Sequence, residues 1–210
     1  MNTVENWLPR HRTFVYNGTA LLVTVGLVIG WKAIPIHQRR LAAREDSHDA
    51  NGHKGTRREE PSLEFDNGER LTEGPVIVQW IADQYPAAGL VPPAGKPERY
   101  RVQEWLNFIT SELHKSFGPV FRPTTPDAYK AISKENLGKR FGWLDKQLAG
   151  KHYLMGDKFT VADAYLFTVL RWASRIDMDL GKWPNLKAYV DRVAARPKVQ
   201  EALKAEGLSK

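Results

Sequence analysis

The chain has 210 residues, enough for one large or two small domains with a real core. Its formal charge is +7, but the excess is spread along the chain with no basic block carrying interleaved aromatics, so nucleic acid is not the expected partner. It contains no cysteine, which excludes disulfides, thiolate metal sites and a cysteine nucleophile.

Residues 1–59 divide in two. Thr13–Trp31 is an uncharged run of 19 residues, close to the ~20 a spanning helix needs. Arg10 and Arg12 flank it on one side and Lys32, Arg39, Arg40 and Arg44 on the other, with Trp7, Tyr16 and Trp31 placed for interfaces. Asn17, Gly18, Gly26 and Gly30 thin its apolar content, so residues 13–36 are a candidate membrane contact rather than a clear anchor. Residues 37–59 hold six Lys/Arg, four Asp/Glu and one large aliphatic, Leu41, and read as a disordered linker. His37, His48 and His53 lack metal-ligand spacing, and no metal site is expected.

From Pro61 the text becomes structured. Leu63 and Phe65 precede Asp66-Asn67-Gly68, a hairpin-turn signal. Thr72 or Glu73 can cap a helix with Pro75 in its first turn, and that helix should stop near Pro86. The proline-rich stretch 87–97 reads as an interdomain linker.

Beyond it everything is helical. Val102, Trp105, Leu106, Ile109 and Leu113 recur at helical spacing and predict a helix over Tyr100–Phe117. Pro119, Pro123 and Pro126 should break the chain. Ile132, Leu137, Phe141, Leu144 and Leu148 give one face of a helix over Ala128–Leu148. Lys151–Lys158 is a loop. Val161–Arg175 is apolar almost all round and belongs at the centre of a bundle. Trp183–Ala195 and Pro197–Glu206 complete the set.

Thr160 and Asp163 open the central helix as a capping box, with Asp in place of Glu. In a buried helix the first amides have no water to turn to, so this pair carries a structural role.

Several of these phrases together resemble the glutathione S-transferase family. Thr160-x-x-Asp163 within FTVADAYLFTVLRWA resembles the buried helix of that family's C-terminal domain. EWLNFITSELHKSF, Glu104–Phe117, is similar to the first helix of that domain in the bacterial beta class. LTEGPVIVQWIAD, Leu71–Asp83, is similar to the last helix of the thioredoxin-like domain, and ARPKVQEAL, Ala195–Leu203, to the closing helix. The resemblance covers about 150 residues, in proportion to a single large domain pair.

It implies a mainly α fold: a C-terminal helical bundle over 98–210, preceded by a β-hairpin and helix at 60–86 that are the remnant of a thioredoxin-like domain. It implies glutathione as co-substrate, with no cofactor, and conjugation of its thiolate to a small apolar electrophile. Glu73 matches the family's acid for the glutathione ammonium, and the Gly74 amide its carboxylate partner. Pro61 matches the family's cis-proline, which presents the backbone of the preceding residue, here Glu60. Asn107, Ser111 and His114 fall at i, i+4 and i+7 on the first bundle helix, with Glu112 and Lys115 beside them, and the resemblance puts that face at the cleft. His114 matches the histidine near the sulfur, where a donor favours thiolate. Phe117, Phe121 and Tyr165 would form the helical wall of the electrophile pocket.

The family pattern fails over residues 1–59, which show no βαβ alternation and no cysteine; Tyr16 and Ser47 have no supporting context. Translation from another frame or start, a genuine membrane-tethering fusion, and a non-catalytic relative that uses its bundle for binding all fit. The first two leave the activity impaired or the protein membrane-anchored rather than cytoplasmic. The family's homodimer is expected where the N-terminal domain is intact.

Overall fold

The structure is a computed structural model and describes residues 14–15, 62–65, 67–205 and 207–208. Glu60, Pro61, Tyr16, the linker 37–59 and all of the membrane-like run except Phe14–Val15 lie outside the described residues.

Strand β1, Phe14–Val15, pairs antiparallel with β2, Ser62–Glu64, through Phe14 opposite Leu63 and Val15 opposite Ser62. Strand β2 pairs antiparallel with β3, Arg70–Thr72, giving the order β1-β2-β3. The hairpin expected to stand alone therefore has a third strand. The start of the candidate membrane run supplies it, which corrects the reading of those two residues as part of a membrane span. The turn between β2 and β3 closes through Gly68 N–H to Phe65 O at 2.9 Å and Phe65 N–H to Glu69 O at 2.9 Å. Gly68 takes φ 84°, which favours glycine.

Helix α1, Gly74–Asp83, carries Ile77, Val78 and Ile81 inward, with Pro75 in the first turn as expected. Leu63 of β2 joins the same core, and Phe65 meets Trp80 edge-on at 5.2 Å. The chain then crosses to the bundle, and here the linker reading needs correction. Leu90 and Val91 are buried, because Leu90 O accepts the Val161 N–H at 3.0 Å and so fills an orphan donor of the central helix.

Helix α2, Pro97–Phe108, runs without a break into a π-helical segment, Ile109–His114, and then α3, Lys115–Phe121. A π turn leaves α-type carbonyl acceptors unmatched. Hydroxyls take them: Thr110 donates to Leu106 O at 2.8 Å and Ser111 to Asn107 O at 3.0 Å. Pro119 was expected to break the chain but lies inside α3. It removes one donor close to where the helix already ends, at Phe121, so little pairing is lost.

Helix α4, Asp127–Leu148, buries Leu137, Phe141, Leu144 and Leu148. Ile132, expected on that face, is 53% exposed, and Ser133 is buried instead. Helix α5, Val161–Leu170, is buried at every position and packs against α1, α2 and the next helix, α6, Pro184–Ala194. It tightens into a 3-10 segment at Arg171–Ile176, so its α part is shorter than the expected span to Arg175. Helix α7, Pro197–Ala205, closes the chain against α6. None of the described helices is long and apolar enough to cross a membrane.

Candidate functional site

The local stiffness of the site begins at Asp163. Its carboxylate accepts the Thr160 N–H at 2.8 Å, the Leu154 N–H at 2.9 Å, the Thr160 hydroxyl at 3.1 Å and the Tyr189 hydroxyl at 3.1 Å. The capping box forms, and beyond it the carboxylate ties the 151–158 loop and α6 to the start of α5. Burial pushes the Asp163 carboxyl up from its ordinary value, against the pull of these four donors. The result is a central helix held at its N-terminus from three sides.

That helix presents Tyr165. Its hydroxyl is 2.6 Å from His114 Nδ1, and Thr110 Oγ1 is 3.5 Å from it. The imidazole also meets Trp172 edge-on at 4.8 Å and Tyr165 at 5.8 Å. Trp172 in turn packs on Phe117 at 5.6 Å and Phe121 at 5.9 Å, and those two rings stack at 5.7 Å. His114, Thr110, Tyr165 and Trp172 thus form one small polar centre set in aromatic rings. Of the three residues expected to wall a pocket, Phe117 is fully buried core, Tyr165 is 2% exposed, and Phe121 is 43% exposed.

The other predicted residues fall as follows. Asn107 and Ser111 are exposed and His114 is half-buried, because the π segment widens the turn between them. Glu112 forms an ion pair with Arg140 of α4. Lys115 is exposed at the start of α3. Glu73 is the N-cap residue of α1 and is exposed. Its carbonyl accepts the Val76 and Ile77 amides at 2.9 and 3.0 Å, but its side chain makes no capping bond. Its backbone sits at φ 68°, ψ 107°, a strained conformation for a residue with a Cβ. Gly74 is buried beside it. Glu60 and Pro61 lie outside the described residues.

Two contacts join the α1 side to the bundle. Arg99, 7% exposed, makes a bidentate pair with Asp83 at 2.7 and 2.8 Å and donates to Pro92 O at 3.0 Å. One turn on, Gln103 donates to Gln79 at 3.1 Å. Sequence reasoning missed Arg99 and the pairing of Tyr165 with His114. Tyr165 carried one signal: a phenol inside an otherwise apolar helix needs a partner for its hydroxyl. A shallow groove of about 460 Å³ along Gly95, Pro97, Tyr100, Arg101 and Glu104 contains none of the expected glutathione residues. Among the described residues no group of three or more His, Asp or Glu is gathered for a metal ion.

The glutathione S-transferase C-terminal domain family matches residues 108–197. Glutathione S-transferase GstA of Escherichia coli O157:H7 is 46% identical over 148 residues, 70% of this chain and 74% of the relative. The structure of BphK, a bacterial glutathione S-transferase in a ternary complex, superposes with a TM-score of 0.77 at 40% identity, over 93% of this chain and 99% of that one. A sphingomonad glutathione S-transferase complexed with glutathione is 46% identical, with a TM-score of 0.67 over 71% of this chain and 74% of that one. The chain belongs to the glutathione S-transferase family, close to its bacterial beta-class members. Its mainly helical part is the family's C-terminal domain, and the extent of the structural matches is consistent with the full two-domain fold.

Proposed function

We propose that this chain binds glutathione between the start of α1 and the α2 face at Asn107, and conjugates its thiolate to small apolar electrophiles. The observation that carries this is the 46% identity, across seven-tenths of the chain, to a transferase with glutathione bound. The cross-links Asp83–Arg99 and Gln79–Gln103 run α1 and α2 antiparallel in steps of one turn. Continued one further turn, that register runs Pro75 toward Asn107 and the α1 N-terminus toward Ser111.

In this reading Glu73 takes the ammonium of the γ-glutamyl end and the Gly74 amide its carboxylate, as a helix N-terminus does well. The Glu60 backbone, ahead of Pro61, meets the cysteinyl group. Glu112 and Lys115 flank the cleft face, and His114 lies near the sulfur, where a donor lowers the thiol's affinity for its proton. The thiolate sulfur then bonds to the electrophilic carbon, with the leaving group departing with its electron pair. Turnover is expected below that of cysteine-bearing relatives, because residues 1–59 carry no cysteine at the sulfur and read as a replaced N-terminal half of the thioredoxin-like domain, with 60–86 its remnant. A cytoplasmic location and a homodimer belong to the same proposal. The exposed Tyr100 and Trp143 beside Trp105 and Phe108 suit a subunit contact.

The test is retention on glutathione-agarose followed by a conjugation assay with an aryl halide. Retention with measurable turnover, both lost in Glu73→Gln, is the expected result; a folded chain that ignores glutathione sinks the proposal. The absence of cysteine favours one second reading, a non-catalytic binding or scaffold protein built on the bundle. It is distinguished by retention without any turnover.

A further inference from the structure

We infer that Tyr165 is the positioning residue of His114, holding the neutral imidazole in the tautomer that carries its proton on Nε2; only the consequence for conjugation rests on the function proposed above. The phenol is the fixed partner. It stands on α5, which is buried at every position and pinned at its N-terminus by Asp163. His114 is the partner that needs fixing, since it ends the π segment, where the helix changes register.

The direction of the bond follows from the donors around it. Thr110 gives its hydrogen to Leu106 O at 2.8 Å, so toward Tyr165 it offers a lone pair, at a long 3.5 Å. The contact of the phenol with Nδ1 is 2.6 Å. A phenol O–H is a stronger donor than an imidazole N–H, and a neutral imidazole's unprotonated nitrogen is a strong acceptor. Tyr165 therefore donates to Nδ1, and the ring proton sits on Nε2. Trp172 and Tyr165 set edge-on against the ring oppose its rotation. A sulfur approaching the ring on its Nε2 side meets an N–H donor already aimed, rather than a mixture of tautomers.

The experiment is long-range proton–nitrogen NMR of the full chain labelled at histidine nitrogen, at neutral pH. His114 is identified among the six histidines by the signal lost in His114→Gln. The wild-type ring is expected as the Nε2–H form. In Tyr165→Phe the Nδ1–H form should rise to a comparable population. The kcat for conjugation should then fall on the order of tenfold, with the KM for glutathione nearly unchanged. A dominant Nδ1–H form in the wild type overturns the inference and needs no variant to fold. So does an unchanged tautomer ratio in a folded Tyr165→Phe. Absence of conjugation in the wild type overturns the proposed function instead, while the tautomer populations still decide the role of Tyr165.

Discussion

Asp163 has no exposed surface, yet it accepts hydrogen bonds from two backbone amides and two hydroxyls. Removing its carboxylate orphans the Leu154 and Thr160 amides, and each buried orphan costs about 1–3 kcal/mol. Asp163→Ala is therefore expected to lose about 3–5 kcal/mol by guanidinium unfolding, with Asp163→Asn losing less. The pH dependence has an unusual sign. Because burial raises this carboxyl above 3.8 in the folded chain, folding binds its proton more tightly than unfolding does. Its contribution to stability is thus present at low pH and lost as pH rises from the ordinary value through the raised one. Subtracting Asp163→Asn from wild type across that window should show stability falling with pH, and a rise would contradict it. Glu73 gives the opposite kind of test. Its φ of 68° is strained, so Glu73→Gly is expected to raise stability by about 1 kcal/mol while abolishing glutathione retention. Gain in one measurement and loss in the other would mark a strained residue kept for binding.

At the level of elements, the contrast between α2 and α5 is informative. The hydroxyls that bond back to carbonyls in the π segment leave α2 with a register change just ahead of His114. Helix α5 has no such break and no exposed residue. Its amides should exchange only through global unfolding, so Val161–Leu170 is expected to be the slow-exchanging helix in native-state hydrogen exchange. Equal protection in α1 would argue against that order. The β2–β3 hairpin is not a free-standing element: Leu63 and Phe65 pack on α1, and α1 packs on α5. Two strands that would be marginal alone are carried by a helix that is itself carried by the bundle.

For the whole molecule, the joint between the α1 side and the bundle turns on Arg99. It bridges Asp83 of α1 and the Pro92 carbonyl of the linker from one buried guanidinium. Truncating it leaves both acceptors with lost partners, and Arg99→Ala is expected to cost about 2–4 kcal/mol. The distinctive readout is limited proteolysis. Cleavage near Pro92 should accelerate in the variant while α5 stays protected, whereas uniform protection would show that apolar contact alone holds the halves together.

What the sequence by itself determined was everything whose cause lies within a turn or two of chain. The helical spacing of Leu137, Phe141, Leu144 and Leu148, the all-round apolar α5, the Thr160–Asp163 box and the Asn67-Gly68 turn each act over a few residues, and so each was legible. The limits of that reading are equally physical. Ile132 has the right spacing but nothing packs over it, and Pro119 is tolerated because α3 ends at once. His114 and Tyr165 are 51 residues apart, and Asp83 and Arg99 meet across a linker whose Leu90 turns inward. Only the tertiary structure decided these, because a side chain's partner across the core is set by how whole helices pack, and no local periodicity encodes that.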